Sequence, residues 1–386
     1  MLGWLEAGLA AVEPEALTAA VLAGRTGKTM VIAIGKAAPA MARGADSELD
    51  VVDGVCVTDH HEPVPDTMRL VIGDHPVPGA ASLEAGAAVL EAVERARSSM
   101  EIIALVSGGG SALCEAPRDG VPAHFLSEVT RKLLSGGADI EELNLVRAHL
   151  SAIKCGGLAR AAERPIDTYV LSDVAGADPG VVASGPTIPR AHDPEAAAEV
   201  LRRLSVEIPP GVWEAMTTEP LSLPSPQVTL LADGHTAARA VLSAAPTPNV
   251  VVDEWLRGAM GDCLDRFLAT GGKGVTVGAG EAVLDVTGAG SGGRTTHAAL
   301  LAAERLAGSN DLFCAFATDG VDARSGAAGA IVDGTTIQRG GDPAAALRDF
   351  DSAGYLARTS DLLRCPPTGT NVSDLWILWR RGRGSP

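Results

Sequence analysis

Short apolar runs ending in glycine and a polar or charged residue, each followed by a helix-forming stretch, recur along the chain and restrict its fold more than any other feature. Brief apolar runs bounded by turn residues read as strands buried on both faces, and their alternation with helices is the pattern of βαβ units. Residues 30–34 predict such a strand, ending in Gly35-Lys36 and followed by an alanine-rich helix over 37–45. Further strands are predicted at 51–57, 102–106, 168–171, 228–231, 283–286 and 312–317. Aromatic residues make up only 3% while Ala, Val and Leu abound, which suits helices packed on a buried sheet. The expected class is α/β with mainly parallel sheets.

A chain of 386 residues is long enough for two domains. Pro209, Pro210, Pro220, Pro224 and Pro226 crowd one span and disfavour both helix interior and central strand there. The expected domains are therefore 1–225 and 226–386. A formal charge of −17 argues against nucleic acid as the main partner, since phosphate backbones are held by clustered cations. Small phosphorylated ligands remain compatible, because they need only a few local donors. The six cysteines form no CxxC pair, so neither zinc nor a disulfide framework is expected. No signal peptide or membrane-length apolar run is read, and a soluble, cytoplasmic protein is the expectation.

Polar residues and glycines gather at the carboxyl ends of the predicted strands, the edge where open α/β sheets bind ligands. The clearest case is Ser107-Gly108-Gly109-Gly110-Ser111. Its glycines let the backbone approach a ligand, and a helix expected near Ser111 would favour a phosphate or carboxylate. Lys36 occupies the same edge and is a candidate to neutralise a transferring phosphoryl group, although a surface lysine fits its local sequence equally well. Asp173 and Asp319 end two other strands and are candidate magnesium ligands or bases; helix capping is the alternative for each.

Two familiar motifs are set aside. Gly27-Lys28-Thr29 resembles the end of a phosphate-binding P-loop, but Leu22 stands where the first glycine belongs and the segment precedes a strand. Gly288-Ala289-Gly290-Ser291-Gly292-Gly293 matches GxGxxG, yet no acidic residue ends the next strand at the spacing a dinucleotide site needs. Delivery of Arg294 to an anion accounts for it at least as well.

Read in order, these stretches resemble the glycerate 2-kinase family with its carboxyl-terminal MOFRL domain, some of whose members are labelled hydroxypyruvate reductase. The resemblance spans nearly the whole chain. It rests on Gly35-Lys36-Ala37-Ala38 with Met41, His75-Pro76-Val77-Pro78, 106–113, 144–151, Ile153-Lys154 and Ser172-Asp173-Val174. It continues through 183–187, Gly280-Glu281, Gly292-Gly293-Arg294, 317–320 and 367–372 with Asp374. The family implies a Rossmann-like amino-terminal domain, a MOFRL-type carboxyl-terminal domain, and an active site in the cleft between them. It implies ATP as donor, magnesium (Mg2+) as metal and the 2-hydroxyl of D-glycerate as acceptor. Carried onto this sequence, Lys36, Arg294 and Asp173 become catalytic, with Asp173 also a metal ligand. Ser107, Gly108, Gly109, Gly110 and Ser111 would hold phosphate. Arg147, Lys154, Glu281, Asp319, Thr368, Thr370 and Asn371 would line the substrate site.

The chain departs from the family pattern at Thr295, Thr296, His297, Cys155, Gly157 and Pro366, which puts the acceptor in question more than the reaction type. An NAD(P)-dependent reductase using residues 288–293 and a non-catalytic carboxylate or sugar-phosphate sensor are the competing readings. No membrane partner is expected; the sequence leaves open whether the chain is a homodimer.

Overall fold

β1 forms at Lys28–Ile34, where every residue after Lys28 is buried. This is a computed structural model, describing residues 1–96, 100–174, 178–246, 249–251, 256–270 and 272–381. Contacts divide the chain into two units, one comprising Pro14–Ser172 and Asp178–Leu231, the other Met1–Glu13, Asp173–Ala177 and Ala232–Pro386.

In the first unit, β2 (Asp50–Thr58), β3 (Met68–Ile72), β4 (Glu101–Ser107), β5 (Asp167–Leu171) and β6 (Val228–Ala232) join β1 in one sheet of order β3-β2-β1-β4-β5-β6. The pairs β1–β2, β1–β4, β2–β3 and β4–β5 are all parallel. The order runs outward from β1 one way and from β4 the other. Such a reversal leaves a crevice outside the carboxyl ends of the two central strands, the place where doubly wound sheets bind ligands. The Ala38–Asp46 helix packs almost wholly buried alanines beside β1 and β2, as the composition anticipates. The helix Pro210–Thr217 begins within the proline-rich span, with Pro210 at a first-turn position that needs no N–H donor.

The second unit differs from expectation. Its strands are β7 (Asn249–Val251), β8 (Gly274–Gly280), β9 (Leu312–Ala317), β10 (Gly329–Asp333), β11 (Leu362–Leu363) and β12 (Asp374–Arg380), in the order β11-β10-β9-β12-β8-β7. Among the described residues β7–β8 is parallel, whereas β8–β12, β9–β12, β9–β10 and β10–β11 are antiparallel. The expectation of mainly parallel sheets therefore fails here, because the last strand returns between β8 and β9 instead of extending an edge. The strand predicted at 283–286 is also absent: Val283 makes an isolated bridge to Ala259, and Val283 and Val286 are exposed. The sheet is built from β8, whose Gly274, Gly278 and Gly280 masked its strand character. Its core gathers around Trp376, which meets Phe267 and Phe313 edge-on. All six cysteines are free thiols, five of them buried. Among the described residues no helix is long and apolar enough to cross a membrane.

Candidate active site

The last residue pair of β1 and β4 is Ile34–Val106, so Gly35 leaves the sheet at its switch point beside Ser107, the last residue of β4. Gly35 has φ +131°, and a Cβ there would lie 2.2 Å from the Ser107 hydroxyl. No other residue type fits this approach without displacing the loop. The two segments are laced together: the Lys36 N–H donates to Gly108 O at 2.9 Å, and the Ala37 N–H to Ser107 Oγ at 3.1 Å. The Lys36 side chain runs past Gly109, where an added Cβ would lie 3.2 Å from Lys36 Cγ and 3.7 Å from the His75 ring. Lys36, loop 107–111 and His75 thus meet at one sheet edge. The helix expected after the loop is only the single turn Gly110–Leu113. A turn this short leaves loop N–H groups and Lys36, more than a helix dipole, as the groups that face this edge.

Beside Lys36, β2 ends in Thr58 and delivers Asp59, His60 and Glu62. The His60 ring lies 2.7 Å from Asp59 Oδ1 and 2.9 Å from Glu62 Oε2. Burial works against the Asp59 carboxylate, but His60 and the Lys36 charge hold it below its ordinary value. Burial likewise opposes the His60 cation, and Asp59 and Glu62 outweigh it, raising His60. Sequence reading missed this trio, whose only signal was its place just past a strand end.

Behind the glycine loop lies a buried polar network. Ser111 Oγ is 2.8 Å from Ser184 Oγ, which accepts from Arg147 Nη1 at 3.0 Å. Arg147 is buried and held below its ordinary value by desolvation; its Nε has no partner among the described residues. Ser184 reaches this position through a run of left-handed backbone, with φ +50° at Ala183, +59° at Ser184 and +54° at Gly185. Such values cost a non-glycine residue about 1 kcal/mol or more and cluster where geometry matters. Lys154 is also buried, and desolvation lowers it; its Nζ donates to Gly110 O at 3.3 Å and to Cys114 O. Lys154 therefore ties the loop's helical turn from within, and Arg147 reaches the loop through Ser184. Cys155, one of the departures, sits at φ +50°, a conformation glycine adopts without strain.

In the second unit, β12 begins at Asp374, which pairs with Gly280 of β8 and Ala317 of β9. This register brings Glu281 and the 318–320 turn to the same edge. Arg294 opens the Arg294–Arg305 helix and is gripped there: Nε and Nη2 donate to Asp374 at 2.9 and 3.3 Å, and Nη2 lies 2.8 Å from Glu281 Oε1. Burial opposes the Arg294 charge, but Asp374 and Glu281 more than offset it. Burial raises Asp374 while Arg294 pulls it down; the two-point contact with the guanidinium favours the ionised pair.

Thr295, Thr296 and His297 prove to be buried. Asp322 accepts the N–H groups of Thr295 and Thr296 at 3.1 and 2.9 Å and the Thr296 hydroxyl at 2.7 Å, capping the helix. His297 stacks on Phe350 with ring centroids 5.3 Å apart. Asp322 was invisible as a site residue because its partners lie far back in the sequence. Gly288, Gly290 and Gly292 press against residues 349–352, where a Cβ at Gly288 would lie 2.5 Å from Asp349 O, and Gly293 presses against Asp322. With no strand before it, the GxGxxG run lacks the context of a dinucleotide fingerprint.

Asp319 accepts from the Val321 N–H at 2.9 Å and so caps its own turn. Thr368 donates its N–H to Asp319 O at 3.2 Å and its hydroxyl to Thr318 O, while Thr370 Oγ1 donates to Val12 O at 2.8 Å. Asn371 Nδ2 donates to Asp173 Oδ2 at 3.3 Å, joining two of the expected site residues.

Residues 1–217 match the model of a domain of unknown function, DUF4147, and residues 274–374 match the MOFRL family. The chain is 35% identical to a D-glycerate 2-kinase of Thermotoga maritima, covering 91% of this chain and 90% of the relative. The chain belongs to the glycerate 2-kinase family. It is also 33% identical to a putative hydroxypyruvate reductase of Agrobacterium vitis, over 90% of this chain and 98% of the relative. The crystal structure of a Thermotoga maritima glycerate kinase superposes with TM-score 0.88 at 32% identity, covering 98% of each chain. The resemblance drawn from ordered motifs is thus borne out, as is the two-domain α/β class.

Proposed function

We propose that this chain transfers the γ-phosphoryl group of ATP to the 2-hydroxyl of D-glycerate, giving 2-phosphoglycerate. The observation that carries the reading is the meeting of Lys36 with loop 107–111 at the switch point of a parallel sheet. Phosphoryl transfer asks a protein mainly for positioning and charge compensation, and aimed N–H groups beside a lysine supply both. Glycerate kinase relatives aligned over nine-tenths of the chain support the same reading.

Lys36 would neutralise the transferring group, with the loop N–H groups holding phosphate oxygens. Arg147 and Lys154 would act one step back, fixing the loop. Arg294, oriented by Asp374 and Glu281, would present Nη1 to the phosphoryl group or the substrate carboxylate. Thr368, Thr370 and Asn371 would shape the surroundings of Asp173, and Asp319 would hold its turn. Among the described residues no group of three or more His, Cys, Asp or Glu is arranged to hold a metal. Mg2+ would arrive with ATP, for which one or two protein carboxylates suffice; Asp173 would provide one. When bound, the metal supplies charge stabilisation at the phosphates.

The test is ADP release with D-glycerate, ATP and Mg2+, with NMR locating the phosphate on the product. Loss of turnover in folded Lys36→Ala and Arg294→Ala proteins is expected. Full turnover in both would remove these site assignments, and phosphate on another hydroxyl would change the product. NADH oxidation with hydroxypyruvate by the pure protein would favour the reductase instead.

A further inference from the structure

We infer that the first unit carries a second anion site, built around Arg118 and Arg160, that takes a small phosphate ester. A cavity of about 530 Å³ is lined there by Leu90, Arg118, Ser151, Arg160, Ala215 and Leu221, among others. It includes no residue of loop 107–111 and not Lys36.

The charge arrangement is what points to a ligand. Among the described residues Arg118 is held by backbone: Nη1 contacts His149 O at 3.5 Å and Nη2 contacts Thr218 O at 3.4 Å. Arg160 donates Nη1 to Cys155 O at 3.0 Å. Neither guanidinium has a carboxylate partner among the described residues, and both are held below their ordinary value by desolvation, Arg160 further by the Arg118 charge. Two half-buried guanidiniums that feel one another and lack a counter-ion destabilise the folded chain. A bound dianion would reverse that sign. Glu94, Asp119 and Glu219 also line the cavity but are exposed, and Glu219 approaches the ring of His192 at 3.7 Å.

The rest of the wall defines the ligand class. Forked guanidiniums match phosphate oxygens in pairs. The cavity is much larger than a bare phosphate, and Leu90, Ala215 and Leu221 offer apolar surface for a short carbon body. A phosphate monoester of a small metabolite meets both conditions.

Glycerol 3-phosphate is the probe, titrated calorimetrically into the full chain and into Arg118→Gln, Arg160→Gln and the double variant. Affinity should fall about tenfold or more in each single variant, one charge-assisted contact being lost, and binding should vanish in the double variant. Unchanged affinity in the folded double variant overturns the site, as does absence of binding to the parent. Inorganic phosphate binding as tightly as the ester overturns the ester assignment. Should the double variant not fold, phenylglyoxal labelling of the parent, read by mass spectrometry, decides. Severalfold protection of Arg118 and Arg160 relative to sodium chloride at matched ionic strength supports the site. Labelling that the ester leaves unchanged, or that reaches neither arginine, overturns it.

Discussion

Arg294 grips Asp374 through two donors, Nε to Oδ2 at 2.9 Å and Nη2 to Oδ1 at 3.3 Å, and so the first residue of β12 fixes the first residue of a helix eighty positions earlier. Asp374 is almost wholly buried, whereas Arg294 is 40% exposed, so solvent weakens the pair at one end only. Asp374→Ala should cost about 1–3 kcal/mol, below the full cost of breaking a buried pair. It should also lower kcat by freeing the guanidinium to reorient, while Glu281→Gln, altering an exposed partner, should change stability little. Urea unfolding beside steady-state kinetics checks both.

The Gly35 contact gives a backbone prediction. A Cβ at that position would meet Ser107 Oγ at 2.2 Å and Ser107 O at 2.5 Å, at a φ that L-residues rarely adopt. Gly35→Ala should therefore destabilise the chain by about 2 kcal/mol or more and move Lys36 and the loop together. Kinase turnover should fall further than the loss of folded protein explains. Activity normalised to the folded fraction from denaturant curves makes the comparison.

Ser184 separates strain from hydrogen bonding. Ser184→Ala removes the acceptor of Arg147 Nη1 and the contact to Ser111 while keeping the left-handed backbone. An unsatisfied buried donor costs about 1–3 kcal/mol. Ser184→Gly loses the same bonds but relieves the strain at φ +59°, so it should be the more stable by about 1 kcal/mol. Equal stabilities, measured by chemical denaturation, would mean that the backbone there is not strained.

These residues also show what sequence reading could and could not reach. Lys36 and loop 107–111 were legible because a parallel sheet advertises its ligand edge locally: an apolar run, then glycine and a polar group. The α/β class followed from the same rhythm, while the Rossmann-like first domain was implied by the family resemblance. Ser184, Asp322 and Asp374 act across 26 to 80 positions, and nothing local distinguishes Asp322 from any other turn aspartate. The antiparallel second sheet escaped for the same reason, since the place of β12 between β8 and β9 is set by long-range pairing. The departures at Thr295 and Thr296 looked like changes near substrate, yet their hydroxyls are consumed by Ala328 O and Asp322.

That burial yields a prediction about specificity. Thr296→Val deletes the hydroxyl that Asp322 and Ser352 share while keeping the shape. Loss of this capping contact should cost about 1–2 kcal/mol. The ranking of hydroxy acids as phosphoryl acceptors should stay as in the parent. A thermal melt measures the first effect and a panel of acceptors the second; a reordered panel would place Thr296 at the substrate.

His60 gives the pH dependence. Burial opposes its positive charge, but the contacts to Asp59 and Glu62 leave it raised above the ordinary 6.5. A histidine whose folded value lies above its unfolded value stabilises the fold fully below the unfolded value. That contribution is lost as pH rises through the folded one. His60→Gln should therefore destabilise the chain more at pH 6 than at pH 8, and only modestly, because the ring is 40% exposed. The imidazole resonances of the parent should titrate with a midpoint above 6.5. In a Lys36→Ala protein the Asp59 carboxylate, deprived of the Lys36 charge, should titrate at higher pH than in the parent. An unmoved Asp59 midpoint would show that Lys36 and Asp59 do not sense one another.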